Sequence, residues 1–248
     1  MPKIQHQMGT PGWADEIFAQ PPFRRLRGPS KHTQYHETYI EVMKKTMGAQ
    51  GRTEAIALIA LEYLTMRGVI SRFKEQPFRT LVPEFGCAIV PDFLAQDAKS
   101  EELFVLEMKT SRYVTRMVAS QLEQNRKKFL EYGMKYVLWT DQQVLTTNTR
   151  HNLLNMRRFG KYVPPKVYQP LAERVHKEVV ITIADVYKFG FDWSSVFAAA
   201  WWGIVFLPLS EYITGETQIT TYTPTSLRST FSLVPSDDSE WWQNLPTC

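Results

Sequence analysis

Cysteine is scarce in this chain of 248 residues, which has only Cys87 and Cys248. They form no CxxC pair, which argues against a disulfide framework and against a cysteine-based zinc site. The five histidines, at positions 6, 32, 36, 151 and 176, show no spacing typical of metal ligands. We therefore expect a cytoplasmic protein whose histidines have surface or structural roles.

Long apolar runs are missing as well. The most apolar segment, residues 197–207, is about half as long as a membrane span and ends at Pro208. We interpret this segment, with Trp201 and Trp202, as buried core, and we expect no membrane partner. The N-terminal region has no apolar stretch typical of a secretory signal. No glycine-rich phosphate loop and no G-x-S-x-G nucleophile elbow occurs.

What the chain does contain is ordinary for a folded protein, with 44% hydrophobic and 22% charged residues. Its net charge of +4 is compatible with a polyanionic partner without requiring one. The predicted segments are an irregular basic arm at 1–30, an α/β domain at 31–160, a small winged-helix-like domain at 165–224 and an acidic flexible tail at 225–248. The arm carries Arg24, Arg25 and Arg27, which either track DNA or belong to a solvated lead-in.

Hydrophobic periodicity predicts the elements of the α/β domain. Helices are expected over 52–66 and 114–131, because each shows an apolar face and a glycine follows it, Gly68 or Gly133. The predicted strands are a strand or strand pair within 31–45, then 69–75, 88–95, 103–110 and 136–140. Residues 97–100 are polar turn formers, so the strands on either side of them are predicted to form a hairpin.

The C-terminal half predicts three short helices and then a hairpin, an order typical of a winged-helix unit. The helices are expected at 171–178, 183–187 and 194–203, and the hairpin strands at 204–209 and 218–222. The tail is rich in serine, threonine and proline, and it carries Trp241 and Trp242 beside acidic residues. Paired aromatics in a flexible acidic tail are candidate partner-binding residues.

Two short motifs in the predicted hairpin carry the chemistry. Asp92 follows Pro91, and Glu107, Met108 and Lys109 lie about fifteen residues further on, in the next strand. Since side chains alternate along a strand, Glu107 and Lys109 project from one face about 7 Å apart, and the hairpin brings Asp92 beside Glu107. Two carboxylates, with the Met108 backbone carbonyl, offer the hard oxygen ligands that Mg²⁺ requires. Lys109 can orient or deprotonate the attacking water and neutralise charge on a phosphate.

The helix predicted over 52–66 supplies a further carboxylate, from Glu54 or Glu62. These residues lie about 12 Å apart along the helix axis and roughly 80° around it, so only one of them can reach a given metal ion. We favour Glu54, near the start of the helix, and interpret Glu62 as a structural or surface residue. The candidate catalytic residues are thus Glu54, Asp92, Glu107 and Lys109, with one or two Mg²⁺ ions, or Mn²⁺ as a substitute.

Basic residues follow the lysine of the second motif. Arg112 and Arg116 lie within a few residues of Lys109 and are candidate contacts to a DNA backbone. Gln121 and Lys127, on the same predicted helix as Arg116, are further candidates. A solvated helix face is the alternative interpretation for these two residues.

The residues around these motifs resemble the TnsA family, the endonuclease subunit of heteromeric cut-and-paste transposases. The resemblance covers about residues 50–160 and rests on four runs: TEAIALIALEY from Thr53, EQPF from Glu75, PDFL from Pro91 and LEMK from Leu106. It implies a restriction-endonuclease-like fold of the PD-(D/E)xK type. It also matches the family's catalytic glutamate, aspartate and lysine to Glu54, Asp92 and Lys109, and Glu107 stands where many members have glutamate.

The resemblance further implies what the enzyme does and with which partners. It would nick the 5′ ends of a transposon in double-stranded DNA, while a TnsB-like transposase cuts and joins the 3′ ends and a TnsC-like AAA+ ATPase regulates the complex. The sequence leaves two alternatives open: a stand-alone restriction-like nuclease or junction resolvase, and a non-catalytic DNA-binding adaptor on a nuclease scaffold. The intact set of candidate catalytic residues argues against the adaptor.

Overall fold

A mixed four-stranded sheet is the centre of the structure, a computed structural model that describes residues 5–23, 34–82, 87–177, 181–221 and 224–233. In chain order the elements are α1 (Pro11–Ala19), β1 (Tyr35–Ile40), β2 (Lys45–Gln50), α2 (Arg52–Met66), β3 (Ile70–Glu75), β4 (Thr80–Val82), β5 (Cys87–Ile89), β6 (Phe93–Asp97), β7 (Leu103–Lys109), α3 (Arg116–Glu131), β8 (Lys135–Thr140), α4 (Thr147–Gly160), α5 (Gln169–Lys177), β9 (Ile181–Thr182), α6 (Ile183–Val186), α7 (Trp193–Trp201), β10 (Gln218–Ile219) and α8 (Pro224–Thr230). The sheet has the order β3-β6-β7-β8, with β8 parallel to β7 and the other neighbours antiparallel. The predicted α/β class is confirmed.

Apolar side chains cover both faces of this sheet. On one side, which we call the α2 face, Phe93, Leu106 and Met108 belong to a buried cluster that includes α2. On the other side, the α3 face, Val105 and Leu138 pack with α1 and α3. Strand β7 is therefore buried on both sides, and a charge within it loses its hydration unless a partner lies nearby.

Helix α2 forms where the sequence predicts it, and nine consecutive residues from Ile56 to Leu64 are buried. This extensive burial reflects its position among the sheet, the β1–β2 hairpin and α4. Gly68, with φ of 65°, ends the helix, and the N–H of Val69 donates to the carbonyl of Leu64 (3.0 Å). Among the helices of the described ranges, none is both long and apolar enough to cross a membrane.

The prediction of an irregular arm at 1–30 is wrong for residues 11–19, which form α1. Thr10 caps this helix, because its side chain accepts from the N–H of Trp13. Pro11 occupies the first turn, where a missing N–H costs no hydrogen bond. Proline at this position starts a helix instead of preventing one.

Helix α1 is fixed to the α3 face of the sheet. Trp13 and Ile17 are buried there. The buried ammonium group of Lys74 donates to the backbone carbonyls of Ile17 and Gln20 at the end of the helix. Burial lowers the pKa of Lys74 to about 8. The arginines at 24, 25 and 27, predicted as part of the arm, lie outside the described residues.

The prediction of one strand over 88–95 is wrong, because the chain forms two separate strands there. β5 pairs with β4, which was not predicted, and β6 starts afresh at Phe93 in the central sheet. Pro91 lies between them and has no N–H to donate to a strand ladder, which explains the break. Asp92 therefore precedes β6, and its carbonyl accepts from the N–H of Gln76 (2.9 Å).

The C-terminal part contains the three predicted helices, as α5, α6 and α7. The hairpin predicted after them is wrong in its pairing. β10 pairs with β9, and the hairpin itself is reduced to one bridge between Phe206 and Thr220. The ring of Trp201 on α7 stacks on Tyr63 of α2 at 5.6 Å, so Trp201 belongs to the core as predicted. One buried apolar cluster runs through both parts of the chain.

Helix α8 lies in the segment predicted as a flexible tail, and that prediction is wrong for residues 225–233. Leu227 and Phe231 are buried in the same core as α2. Arg228 donates to both carboxylate oxygens of Asp97, which is 2% exposed. Although burial raises its pKa, hydrogen bonds from Arg228 and from two backbone N–H groups hold the pKa of Asp97 at about 2. This pair links the C-terminal helix to the turn between β6 and β7.

We expect Asp97→Asn to lower the free energy of unfolding by about 2 kcal/mol at neutral pH. The folded-state pKa of Asp97 lies below the value of about 3.9 in an unfolded chain. The wild type therefore has this stability above about pH 4 and loses it as the pH falls toward 2. Urea unfolding over this pH range measures the effect, and the variant should lack this part of the acid dependence.

Asp15→Asn is the matched control for this experiment. Asp15 pairs with Arg72, but its side chain is 68% exposed, so the change should cost less than about 1 kcal/mol. Equal losses of stability in the two variants would contradict a specific role for the Asp97–Arg228 pair.

Candidate active site

Asp92 and Glu107 stand side by side at one end of the central sheet. Phe93 of β6 is paired with Leu106 of β7, so Asp92 and Glu107 are the next pair in this antiparallel register. Opposed residues of an antiparallel pair project from the same face, which here is the α3 face. The register therefore brings together the two carboxylates that the motif spacing predicts as neighbours.

Hydrogen bonds hold both carboxylates in place. Oδ2 of Asp92 accepts from the N–H of Met108 (2.7 Å). Oε1 of Glu107 accepts from Nζ of Lys109, and the Glu107 side chain is buried. Oε2 of Glu107 is also buried, yet within the described part of the chain it has no hydrogen-bond partner. A buried carboxylate oxygen without a partner is costly, and a ligand that brings positive charge would satisfy it.

Glu54 belongs to the same group of charges. It lies in the first turn of α2, where its Oε2 accepts from the N–H of Gln50 (2.7 Å). Its charge acts on both Asp92 and Lys109. The structure thus brings the four predicted catalytic residues together at one end of the sheet.

Glu62, the other candidate on α2, has a different surrounding. It is fully buried and accepts from the N–H of Glu41 (2.6 Å) and from Nε of Arg157 (2.8 Å). These contacts join α2 to the end of the β1–β2 hairpin and to α4. Glu62 is a structural residue, as interpreted from the sequence.

The crowding of carboxylates shifts the ionisation of the site. Burial, and then the negative charges of Glu107 and Glu54, raise the pKa of Asp92 well above its usual range. For Lys109, burial lowers the pKa, but the neighbouring carboxylates, Glu107 first, raise it overall. In the absence of a cation, burial and the charges of Glu107 and Glu54 therefore favour the protonated form of Asp92.

The donor set suits a hard divalent cation. Asp92 and Glu107 offer carboxylate oxygens, and Met108, whose carbonyl is a predicted ligand, follows Glu107 in the strand. In the described ranges no three histidine, cysteine, aspartate or glutamate side chains are grouped as a metal site. Mg²⁺ keeps several water ligands and commonly binds through one or two carboxylates, so a group of three is not required. The unpaired Oε2 of Glu107 supports this fit.

The predicted DNA contacts are all exposed, but they do not lie on one face. Arg112, in a short turn after β7, donates to the hydroxyl of Tyr113 (2.7 Å). Arg116 and Lys127 project from nearly the same side of α3, because eleven residues correspond to about 20° around a helix. Gln121 lies roughly 140° from Arg116 around the helix axis. The predicted partner-binding residues Trp241 and Trp242 lie outside the described residues.

Tyr136 is a residue of the site that the sequence did not lead us to expect. It lies on β8 opposite Val105, so its side chain is on the α3 face with Glu107. Burial and the charge of Glu107 raise its pKa well above its usual value, while the Asn125 side chain acts in the opposite direction. The alternation of side chains along the predicted strand 136–140 could have placed Tyr136 on one face of the sheet. Its position beside Glu107 could be inferred only with the pairing of β8 with β7, which the sequence does not give.

Comparison with known proteins identifies no family for this chain. The chain matches no protein-family model, and it has no significant match among curated proteins. The support for the chemistry of this site is therefore its geometry and the resemblance of its motifs to those of the TnsA family.

We expect Asp92→Asn to raise the melting temperature of the metal-free protein by roughly 2–4 °C, which corresponds to about 1 kcal/mol in a chain of this size. The pKa of Asp92 is raised in the folded state, so its ionisation destabilises the wild type as the pH rises above the unfolded value. Asparagine removes this charge and can still accept from Met108. Thermal unfolding in a chelator, at mildly acidic and neutral pH, measures the difference.

Added Mg²⁺ or Mn²⁺ should raise the melting temperature of the wild type and leave Asp92→Asn unchanged. Glu131→Gln is the control, because Glu131 is an exposed carboxylate at the far end of α3. Two results together would refute a cation site at Asp92. The first is that Asp92→Asn is less stable than the wild type in chelator, and the second is that neither cation changes the melting temperature of the wild type.

Proposed function

We propose that this chain is a Mg²⁺-dependent DNA endonuclease with a restriction-endonuclease-like core and a winged-helix-like C-terminal unit. The observation that carries the proposal is the pairing of Asp92 with Glu107 across β6 and β7, with Lys109 bonded to Glu107 and Glu54 close by. A scaffold that only bound DNA would gain nothing from placing Glu107 and Glu54 where their charges raise the pKa of Asp92. Such a cluster is typical of a site where a cation and a charged substrate meet.

Each residue has a distinct task in this proposal. Asp92 and Glu107 would hold one or two Mg²⁺ ions, or Mn²⁺ as a substitute, with Glu54 and the Met108 carbonyl as additional ligands. When bound, such an ion polarises the scissile phosphate and lowers the pKa of the attacking water. Lys109, held by Glu107, neutralises charge that builds on the phosphate during hydrolysis. Its raised pKa suits this role better than proton abstraction.

We further propose that the enzyme acts in cut-and-paste transposition, on the basis of its resemblance to TnsA. Its substrate would be double-stranded DNA at the transposon ends, where it nicks the 5′ ends. A TnsB-like transposase would process the 3′ ends, and a TnsC-like AAA+ ATPase would regulate the assembly. Arg112, Arg116 and Lys127 would contact the DNA backbone, and Gln121 would do so from another side of α3. Trp241 and Trp242 would bind a partner.

Cleavage of transposon-end DNA by the complex with its TnsB-like and TnsC-like partners tests the proposal. We expect 5′ nicking that requires Mg²⁺ or Mn²⁺ and falls at least 10²- to 10⁴-fold, to order of magnitude, in Asp92→Ala and Lys109→Ala. The reason is that each change removes charge stabilisation that operates during phosphate hydrolysis. Gel analysis of strand-specific products measures both the rate and the cleaved strand.

Lys135→Ala is the matched control for Lys109→Ala. Lys135 begins the neighbouring strand β8, at the opposite end of the sheet, where it pairs with Glu102 (2.6 Å). The control should cleave at the wild-type rate. If Asp92→Ala and Lys109→Ala also cleave at that rate, the site assignment is wrong.

A further inference from the structure

Two arginines lie beside the candidate active site, at the end of the sheet where β7 and β8 finish. Because these strands are parallel, Lys109 and Thr140 are paired and their carboxyl ends meet at one edge. Immediately after them, Asp141 accepts from both the backbone N–H and the hydroxyl of Ser111 (2.7 Å each). These bonds fix the two chain segments that leave the site.

Arg150 approaches this edge from α4. Its charge interacts with that of Asp141, but no ion pair within 4.0 Å forms between them. Nε of Arg150 is buried and, in the described part of the chain, has no hydrogen-bond partner. Oδ1 of Asp141 accepts both of the bonds from Ser111. The guanidinium group of Arg150 therefore keeps an unsatisfied donor, which points to a ligand in its surroundings.

Arg52 is the second arginine and approaches from α2. It is the first residue of that helix, is exposed, and lies two residues before Glu54. Burial is the main cause that lowers the pKa of Arg150, the charge of Asp141 opposes it, and the positive charge of Arg52 lowers the pKa further. In the described ranges Arg52 also has no carboxylate within 4.0 Å. Two guanidinium groups therefore repel each other here, and the charge of Asp141 offsets this repulsion only in part.

A phosphate bound between the two guanidinium groups would relieve their mutual repulsion. Guanidinium groups present planar pairs of donors that match phosphate oxygens, and two of them from different helices can hold one phosphate from two directions. Both arginines lie in or next to the first turn of their helices, where the helix dipole adds positive potential. Glu54 lies two residues after Arg52, and Lys109 is paired across the sheet with Thr140, the residue before Asp141.

We propose that Arg52 and Arg150 form a binding site for one backbone phosphate of the DNA strand, adjacent to the phosphate that is cleaved. This inference rests on the proposed endonuclease function and adds residues that position the substrate. Holding the neighbouring phosphate fixes the register of the strand, so that the scissile phosphate lies over Asp92 and Glu107. Asp141 has a positioning role, because it secures Ser111 and partly offsets Arg150.

DNA binding by the full-length chain tests this site, with a fluorescent duplex of transposon-end sequence and Ca²⁺ in place of Mg²⁺ to prevent cleavage. We expect Arg52→Ala and Arg150→Ala each to raise Kd about 5- to 20-fold. The slope of log Kd against the logarithm of the salt concentration should fall by the amount that corresponds to about one phosphate contact. The double variant should lose less than the product of the single losses, because both residues serve one phosphate. Fluorescence anisotropy at several salt concentrations gives both quantities.

Arg158→Ala is the matched control, since Arg158 is exposed on the same helix as Arg150 but eight residues further from the site. It should bind DNA as the wild type does. Arg150→Lys keeps the charge and loses the planar donors, so we expect it to fall between wild type and Arg150→Ala. Circular dichroism shows whether each variant is folded, and Arg52 is exposed, so its replacement does not disturb the core.

The outcomes separate this inference from the function on which it rests. If Arg52→Ala and Arg150→Ala bind with the affinity and salt dependence of Arg158→Ala, the phosphate site is refuted, while metal-dependent cleavage by the wild type would still support the nuclease. If the wild-type chain neither binds duplex DNA nor cleaves it with its partners, the proposed function fails and the phosphate site fails with it.

Discussion

Strand β7 runs between two apolar layers, and this constraint determines where the chain can place charge. Val105 faces α1 and α3, and Leu106 and Met108 face the core around α2, so a charge in the middle of the strand would have neither water nor a partner. Glu107 and Lys109 reduce this cost, because they stand at the end of the strand and bond to each other, although Oε2 of Glu107 stays without a partner among the described residues. The site lies at this end of the sheet because the rest of β7 cannot accommodate it.

Local alternation accounts for what could be predicted of this site. Side chains two apart share a face, which places Glu107 with Lys109, and a short hairpin turn places Asp92 opposite Glu107. Contacts between distant elements have no such local signal. The charge of Arg150 acts on that of Arg52 only because α4 packs against α2, and this arrangement depends on the whole fold.

Helix α1 and the break at Pro91 were not predicted, although the order of the residues in each segment indicates them. The proline, glycine or apolar content of a segment does not show this order. The proline and glycine content of residues 1–30 suggested an irregular arm, yet the order Thr10-Pro11 is that of a helix cap and first helical residue. Conversely, the apolar character of 88–95 suggested one strand, but Pro91 could not donate to a ladder and divided it. In both segments the position of the proline determined the secondary structure. The burial of α8 depended on long-range contacts, such as that of Arg228 with Asp97.

The C-terminal unit limits where a DNA-bound form of the proposed nuclease can make its contacts. In a helix-turn-helix unit that reads DNA, the last helix enters the major groove. Here α7 is unsuited to this role, because its residues from Val196 to Trp201 are all buried against the rest of the chain. The segment 204–221 carries Glu211 and Glu216, both exposed, and no lysine or arginine, so a phosphate backbone would repel it. Exposed positive charge lies instead on α5, at Arg174 and Lys177, and at the end of the sheet that holds the candidate site, at Arg52 and the start of α3.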